Sequence, residues 1–273
     1  MKYPKISVIT PSYNQGEFIE ATILSVLNQQ YPNLEYIVCD GESTDETVDI
    51  LKKYDASITW WCSEKDKGQS DAINKGMHRA TGDIVCWINS DDVLLPGTLK
   101  TVAAFYEKYP DTDFANGYTV EIDREGKIIN FTHIVMNHFF FRHGCYNISQ
   151  PGMFWKRKIF DEIGYINPDF HAKMDVEWLI RVYEGGLKVR RINRNLSAIR
   201  IYGETKTAMG GNIWSRDTAA IAKRYNGQYT PANRGMYYPL FRLYKFIDGC
   251  NFRNAIRKWQ YVGKPAEAYK ENL

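Results

Sequence analysis

"DIVCWINSDDVLLPG", residues 83–97, runs an unbroken apolar stretch, Ile84 to Ile88, straight into two adjacent aspartates. The stretch has the length of a buried strand, and Asp91 and Asp92 stand just past its carboxyl end. Neighbouring carboxylates repel each other and resist burial, so a chain keeps such a pair for a cation, a sugar hydroxyl or solvent. What surrounds the pair in sequence decides between these uses.

The pattern that leads into the aspartates has three predecessors. "KISVIT" (5–10) is a β-branched run, and "EFIEATILSVLNQQ" (17–30) then sets Phe18, Ile19, Ile23, Val26 and Leu27 near helical spacing. "LEYIVCD" (34–40) precedes "GESTDETVDILKKY" (41–54), in which Ser43 and Glu46 have the spacing of a capping box. "SITWWC" (57–62) precedes "QSDAINKGMHRA" (69–80), and the aspartate strand itself precedes "PGTLKTVAAFYEKY" (96–109), a helix that Pro96 is expected to open. Four strand-helix units in succession predict an α/β fold, a Rossmann-like parallel sheet with helices on both faces, whose ligands bind beyond the carboxyl ends of the strands. The polar residues at those ends are Thr10–Asn14, Asp40–Asp45, Glu64–Asp71 and Asn89–Asp92. Turn chemistry explains any one of these groups; all four at one edge of one sheet point to a site.

Beyond residue 110 the alternation stops. "ANGYTVEIDREGKIINFT" (115–132) reads as a hairpin turning at Asp123–Gly126, followed by strand-like "NISQPGMFWKR" (147–157), helical "HAKMDVEWLIRVYEGG" (171–186), and two strands, "LKVRRIN" (187–193) and "LSAIRIY" (196–202). This half reads as a receiving side built onto the parallel sheet.

The chain's 273 residues, 44% apolar, suffice for a large core, and 35 basic against 32 acidic residues give too balanced a charge to imply nucleic-acid binding. Five scattered cysteines without a C-x-x-C pair argue against a disulfide framework or a zinc site and fit a reducing cytoplasm. No secretory signal is legible, and no stretch approaches the roughly 18 apolar residues of a membrane span.

"SVITPSYNQGEFIEATILSVLNQQYPNLEYIVCDGESTDET" (7–47) and "EKDKGQSDAINKGMHRATGDIVCWINSDD" (64–92) together strongly resemble glycosyltransferase family two, inverting enzymes of the GT-A fold that move a sugar from a nucleotide sugar to an acceptor hydroxyl. The match is dense over 6–97 and continues in order to about 207. The resemblance implies that Asp40 reads the base and Asp91 the ribose, that Thr10 and Tyr13 line the same cleft, and that Asp66 is a further acid at the nucleotide end with Gly68 letting the backbone approach. It makes Asp92 the ligand of Mg2+ or Mn2+, hard cations that take oxygen donors. It assigns the general base to an acid in the second half, where "KMDVEWLIR" (173–181) offers Asp175, with Glu177 as rival. With one base and no second carboxylate in a nucleophile's role, a single inverting displacement through an oxocarbenium-like transition state is the economical mechanism. "SQPGMFW" (149–155) supplies Gln150 and Trp155 as acceptor-binding candidates, though core packing explains Trp155 as well.

Two departures bear on the metal. Asn89 stands where many of the resembling enzymes carry another Asp, and Tyr202 stands where many supply a histidine; Lys206 is a candidate phosphate contact instead. His133, His138 and His143 recur every five residues, which puts them on no common face and argues against a metal site there. The Gln-x-x-Arg-Trp pattern of processive synthases is not found, so one sugar per visit is expected.

The expected organisation is a GT-A domain over 1–225, with a nucleotide-sugar half (1–110) and an acceptor half (111–225), and a basic aromatic helical extension over 226–273. In the extension, residues 234–264 hold seven basic side chains and one acid, Asp248, interleaved with the aromatics of "MYYPLFRLYKFI" (236–247). Such a segment suits peripheral contact with the inner face of the cell membrane, where lipid-linked glycan acceptors are assembled; packing against the catalytic domain or a second copy in a homodimer is the other reading. The expected partners are a nucleoside-diphosphate sugar, with uridine the expected base, and a glycan or lipid-linked glycan acceptor. A sugar nucleotidyltransferase would need the same contacts but opens with a glycine-rich basic loop, which "TPSYNQGEF" (10–18) is not; a non-catalytic nucleotide-sugar binder is the third reading.

Overall fold

Burial on both faces organises the sheet: all seven residues of the first strand, β1 (Ile6–Ser12), are buried, as a central parallel strand requires. The protein is described by a computed structural model, over residues 3–203 and 211–270. After β1 come α1 (Gly16–Leu27), β2 (Leu34–Asp40), α2 (Thr47–Lys53), β3 (Trp60–Ser63), α3 (Gln69–Arg79) and β4 (Ile84–Trp87). The chain continues through β5 (Val93–Leu94), α4 (Thr98–Lys108), β6 (Phe114–Ile122), β7 (Ile128–Phe131), α5 (His138–Arg142), β8 (Met153–Lys156), α6 (Ile159–Ile163), α7 (Met174–Glu184) and β9 (Val189–Arg200). It ends in α8 (Gly211–Arg224), α9 (Arg234–Ile247) and α10 (Cys250–Tyr261).

Among the described residues the strands form one sheet in the order β3-β2-β1-β4-β8-β6-β9-β5, with β7 hairpinned onto β6. The first four are mutually parallel, as the repeated strand-helix pattern predicts. The second half is mixed: β8 runs antiparallel to β4 and β6, β9 runs parallel to β6, and β5 runs antiparallel to β9. The aspartate pair therefore occupies the crossover in which the chain leaves β4 at the sheet's centre and reaches β5 at its far edge. Close packing fixes α3 on β1, because a Cβ on Gly76 would sit 2.4 Å from Ile9 Cγ2.

Three local expectations change. Ser43 does not cap α2: its backbone N–H and hydroxyl both donate to Asp40, while Thr47 N–H is met by Asp45 Oδ1 at 3.0 Å. A carboxylate three residues upstream captured the serine, so the helix starts later without a capping box. Pro96 stands outside α4, since Gly97 at φ 78° is left-handed and the helix begins at Thr98. The two strands expected over 187–202 are one twelve-residue strand, β9, which absorbs Asn193–Asn195 through register shifts against β6 near Gly117 and Tyr118.

Trp87, Trp155 and Trp178 are fully buried where β4, β8 and α7 meet, with ring centroids 4.7 to 6.3 Å apart. Trp155 is thus a core residue and not an acceptor platform. Its strand is covered on both faces, a circumstance that an isolated aromatic in sequence does not reveal. The inner faces of α9 and α10 pack back on the domain: Phe241 joins Val135, Phe140 and Cys145, and Asn254 donates to the carbonyls of Phe131 and Thr132. No helix of the described residues is long and apolar enough to cross a membrane.

Candidate active site

The carboxyl ends of β1, β2 and β4 open onto a cavity of about 710 Å³. Of the residues expected at the donor site, Tyr13, Asp66, Gly68, Asp91 and Asp92 line it. A volume of this order suits a nucleotide sugar.

The two aspartates at the heart of the question point different ways. Asp92 is buried, its Oδ1 accepting from the Arg200 backbone N–H at 3.0 Å and its Oδ2 from the Asn89 amide at 3.1 Å. Burial first, and then the neighbouring Asp91, push its carboxyl well above the ordinary range, against the pull of the Arg200 N–H and Asn89. Asp91 stays half-buried at the cavity wall, where Tyr202 donates its hydroxyl to Oδ2 at 3.0 Å. The turn is tied down from α1, whose Thr22 hydroxyl bonds the carbonyls of Ser90 and Asp92 at 2.9 and 2.7 Å. One carboxylate of the pair braces the turn against β9 and the other faces the cavity.

Also lining the cavity, Gly68 caps α3 with φ 110° and ψ 178°, a conformation open essentially to glycine alone. Nothing lies within 4 Å of where its Cβ would be, so glycine is required by the backbone and leaves that surface clear. Gly68 N–H donates to Asp66 Oδ1 at 2.7 Å. A Cβ on Gly41 would come within 2.7 Å of Asp66 Oδ2, so Gly41 makes the space in which that carboxylate sits.

Thr10 and Asp40 lie behind the cavity and do not line it. Thr10 is fully buried with its hydroxyl 3.2 Å from Tyr36 Oη. Asp40 is 1% exposed, and its carboxylate receives Ser43 N–H at 2.9 Å, the Ser43 hydroxyl, and the Ser63 hydroxyl at 2.6 Å. Its geometry is that of a clamp joining the ends of β2 and β3, because the hydroxyls of Ser43 in the following loop and Ser63 at the end of β3 reach it first.

Asp175, in the first turn of α7, is half-buried, and desolvation pushes its carboxyl up to about 6 against the N–H groups of Val176 and Asp175 and the charge of Lys173. It lies outside the residues that line the cavity; α7 meets α3 where the Ser70 hydroxyl donates to Met174 Sδ at 3.1 Å, one residue along from the lining Gln69. Glu177 is fully buried and held by Arg181 at 3.1 Å, Tyr225 at 3.1 Å and Arg224 at 3.4 Å. Glu177 is thus engaged by two arginines and a tyrosine, whereas Asp175 has no ion pair of that kind among the described residues. Gln150 is nearly buried; its amide donates to the Trp87 carbonyl at 2.7 Å, and its Oε1 has no protein partner. Lys206 lies outside the described residues.

Arg200 is the main residue that the sequence reading missed. From the last position of β9 it lines the cavity, donates to the carbonyls of Asp91, Asp123 and Arg124 at 2.7 to 3.0 Å, and lies over the Phe18 ring. An arginine ending the short run Leu196–Ile199, two residues before Tyr202, was the available signal. Lys65 also lines the cavity, from an exposed position.

Among the described residues no three His, Cys, Asp or Glu side chains converge as a metal cluster. The histidines at 133, 138 and 143 are engaged separately, by Asp248, Tyr229 and the Phe139 carbonyl. At the cavity, the acids Glu42, Asp66, Asp91 and Asp92 outnumber the cations Lys65 and Arg200. Such a wall fits a hard divalent cation held through one carboxylate and completed by phosphate oxygens and water.

A parallel half continued by a mixed half, with acids at the strand ends, is the GT-A architecture. The profile of Glycosyl transferase family 2 matches residues 7–174, and the chain belongs to that family. It is 46% identical over 92 residues to a putative teichuronic acid biosynthesis glycosyltransferase, TuaG, of Bacillus subtilis, a match that covers 33% of this chain and 36% of that relative. It is 28% identical over 198 residues to a PGL/p-HBAD biosynthesis glycosyltransferase of Mycobacterium bovis, covering 70% of this chain and 74% of the relative. The fold is similar to that of S. aureus TarS in complex with UDP-GlcNAc, with a TM-score of 0.63 at 20% identity over 80% of this chain and 66% of that one. It is likewise similar to the mannosyltransferase PcManGT of Pyrobaculum calidifontis in complex with GDP-Man and Mn2+, with a TM-score of 0.64 at 16% identity over 90% and 70% of the two chains.

Proposed function

We propose that this protein is an inverting glycosyltransferase that moves a sugar from a nucleoside-diphosphate sugar, with a UDP-sugar the first donor to test, onto a hydroxyl of a glycan or lipid-linked glycan in polysaccharide assembly. The observation that carries the reading is the cavity where Tyr13, Asp66, Gly68 and Asp91 converge from separate strand ends. The ligands of the similar structures, UDP-GlcNAc and GDP-Man, support a nucleotide-sugar donor, and the names of the relatives support glycan assembly. We place the action in the cytoplasm, in keeping with Cys39, Cys62, Cys86 and Cys145 all being free thiols. The nucleotide-sugar half is proposed to span 1–110, the acceptor half 111–225 and the extension 226–273.

In this mechanism the exposed Tyr13 ring offers a face to the base, and Asp66 accepts from a base or ribose donor beside the clear backbone at Gly68. Asp91 is assigned the cation and Asp92 its support, the reverse emphasis from the sequence reading, because the oxygens of Asp92 already serve Arg200 and Asn89. Bound Mg2+ or Mn2+ would offset charge on the departing diphosphate. Lys65 adds a further positive charge to the cavity lining. Asp175 takes the proton of the acceptor hydroxyl, and its raised pKa makes it a stronger base than an exposed aspartate. Gln150 is assigned to support of the acceptor side through its bond to the Trp87 carbonyl, its Oε1 being buried.

The deciding experiment is a thermal-shift panel of nucleoside diphosphates and their sugars, with and without Mn2+, on wild type and Asp91→Ala, followed by transfer assays with the donor that binds. Binding to the native state raises Tm by mass action. A Mn2+-dependent shift with one nucleotide, lost in Asp91→Ala, is the expected result; no shift with any nucleotide sinks the reading. A donor that binds but is never transferred or hydrolysed would leave a nucleotide-sugar binder.

A further inference from the structure

The helices of the extension bury one face and leave the other bare. Along α9, Met236, Leu240, Leu243 and Ile247 follow one another at spacings of four, three and four residues, and all are more than half exposed, Met236 at 82%. Along α10, Phe252, Ile256 and Trp259 follow at spacings of four and three residues, 74%, 45% and 87% exposed. This is the spacing by which a helix buries an apolar stripe, here turned away from the domain. The inward faces are already satisfied, by Phe241 on α9 and Asn254 on α10. Ten of the seventeen large apolar side chains exposed among the described residues fall between 236 and 262, a concentration that scattered surface hydrophobics do not produce.

Charge identifies what covers the stripes. Residues 234–264 carry seven basic side chains, with Arg242, Arg253, Lys258 and Lys264 exposed, and their one acid, Asp248, is turned inward onto Arg191 at 2.6 Å. In a twofold contact each copy's patch meets itself, which would set these cations against their own duplicates. An anionic lipid surface removes that conflict, since headgroups take the cations while the acyl boundary takes the apolar stripes and the Trp259 indole sits between. At fourteen and twelve residues, α9 and α10 are too short to span a hydrocarbon core of about 30 Å and suit lying in its interface.

We infer that the outward faces of α9 and α10 form a docking surface for a membrane rich in anionic lipid, on which the protein sits peripherally. The seat is tied to the cavity's rim: Asn254 and Gly263 bond the backbone of β7 and its continuation, and the hairpin joining β6 to β7 supplies the Asp123 and Arg124 carbonyls held by Arg200. Docking would therefore fix the orientation of the whole domain to the surface.

The test is cosedimentation of the full chain with vesicles of equimolar phosphatidylglycerol and phosphatidylcholine, and with phosphatidylcholine alone. Two variants at exposed positions accompany it, Phe252→Glu with Trp259→Glu, and Arg242→Glu with Lys258→Glu, each checked for an unchanged Tm. Wild type should pellet with the anionic vesicles only and less so in high salt, and each variant should partition on the order of tenfold more weakly. No pelleting, equal pelleting on neutral vesicles, or variants that bind like wild type would overturn the inference. So would a concentration-dependent dimer that the Phe252→Glu and Trp259→Glu changes abolish while vesicles go unbound, which would give the patch to a second copy. No donor or acceptor enters this experiment, so its outcome is separate from that of the transferase reading.

Discussion

The Tyr202 hydroxyl donates to Asp91 Oδ2 at 3.0 Å, from a ring packed against Phe18 at 5.0 Å. Tyr202 stands where many similar enzymes are expected to place a metal-binding histidine, and the contact shows that the residue still reaches the cavity's acid. A phenol is a poor ligand for a divalent cation while protonated, and Tyr202 is held protonated here, its pKa raised by burial and by Asp91. The hydrogen bond holds the Asp91 carboxylate from the β9 side.

Replacing Tyr202 tests this arrangement from both sides. Tyr202→Phe removes one hydrogen bond to a charged group and should weaken Mn2+-dependent donor binding by roughly tenfold, with folding little changed. Tyr202→His should move the Mn2+ midpoint to lower concentration, as an imidazole can ligate the cation directly. Both are read from Mn2+ titrations of the nucleotide-induced thermal shift. Identical midpoints in all three proteins would show that residue 202 does not act at the cation site.

Asp175 should govern both rate and pH profile. A general base works deprotonated, so transfer should rise with pH through about 6, the value to which burial pushes its carboxyl. Asp175→Asn should lower kcat by roughly 10²- to 10⁴-fold and remove that limb. A folded-state pKa raised above the unfolded value means that the ionised carboxylate destabilises the native state at neutral pH, a penalty that protonation relieves as pH falls through about 6. Asp175→Asn should therefore gain a few degrees in Tm at pH 7, by roughly the shift for 1 kcal/mol or more. A purely structural acid would lose stability on the same change, with no pH limb to remove.

The parallel half was legible because its strands are buried on both faces, so "SVIT", "YIVC" and "IVCWI" read as unbroken apolar runs with polar residues only at the ends. The site followed from topology, since strand ends of one sheet necessarily meet. Side-chain direction did not follow. Asp91 and Asp92 are equivalent as letters, and only the closing of β9 on β5 decides which of them turns inward. Asp175 and Glu177 are likewise equivalent until Arg181, Arg224 and Tyr225 are seen around the second. Arg200 and Trp155 depend on partners more than 60 residues away in sequence, beyond the reach of any local pattern.

Glu35 should set the acid limit of stability. It is 6% exposed and receives Lys5, the Ser7 and Thr81 hydroxyls, and the Thr81 N–H, linking β1, β2 and the α3–β4 turn. Burial opposes its ionisation, but these donors together outweigh it and hold its pKa at about 2. A depressed folded-state pKa contributes stability above the unfolded value near 4.5, lost as pH falls toward 2. Its size is on the order of 3 kcal/mol at neutral pH. Urea unfolding of wild type and Glu35→Gln should differ by about that amount at pH 7, and the gap should narrow markedly at pH 3. A gap independent of pH would assign the effect to packing instead.

Asp217 should control Asp175 from a distance. Its buried carboxylate, on α8, accepts three successive backbone N–H groups, those of His171, Ala172 and Lys173, at 2.7 to 3.1 Å through Oδ2, while Arg216 meets Oδ1. Those residues lead directly into the first turn of α7, where Asp175 sits, and Lys173 is itself buried between the Tyr146 and Trp214 rings. Asp217→Ala leaves three buried N–H groups without their acceptor, releasing the loop and the Lys173 ammonium together. The expected result is a kcat loss of roughly tenfold or more with donor KM little changed, and a shifted acid limb, because the Lys173 charge that lowers the Asp175 pKa would move. Asp217→Asn, which keeps an acceptor oxygen, should recover most of the rate. Equal loss in kcat and donor KM, with the acid limb unmoved, would reduce Asp217 to a residue that merely holds α8 in place.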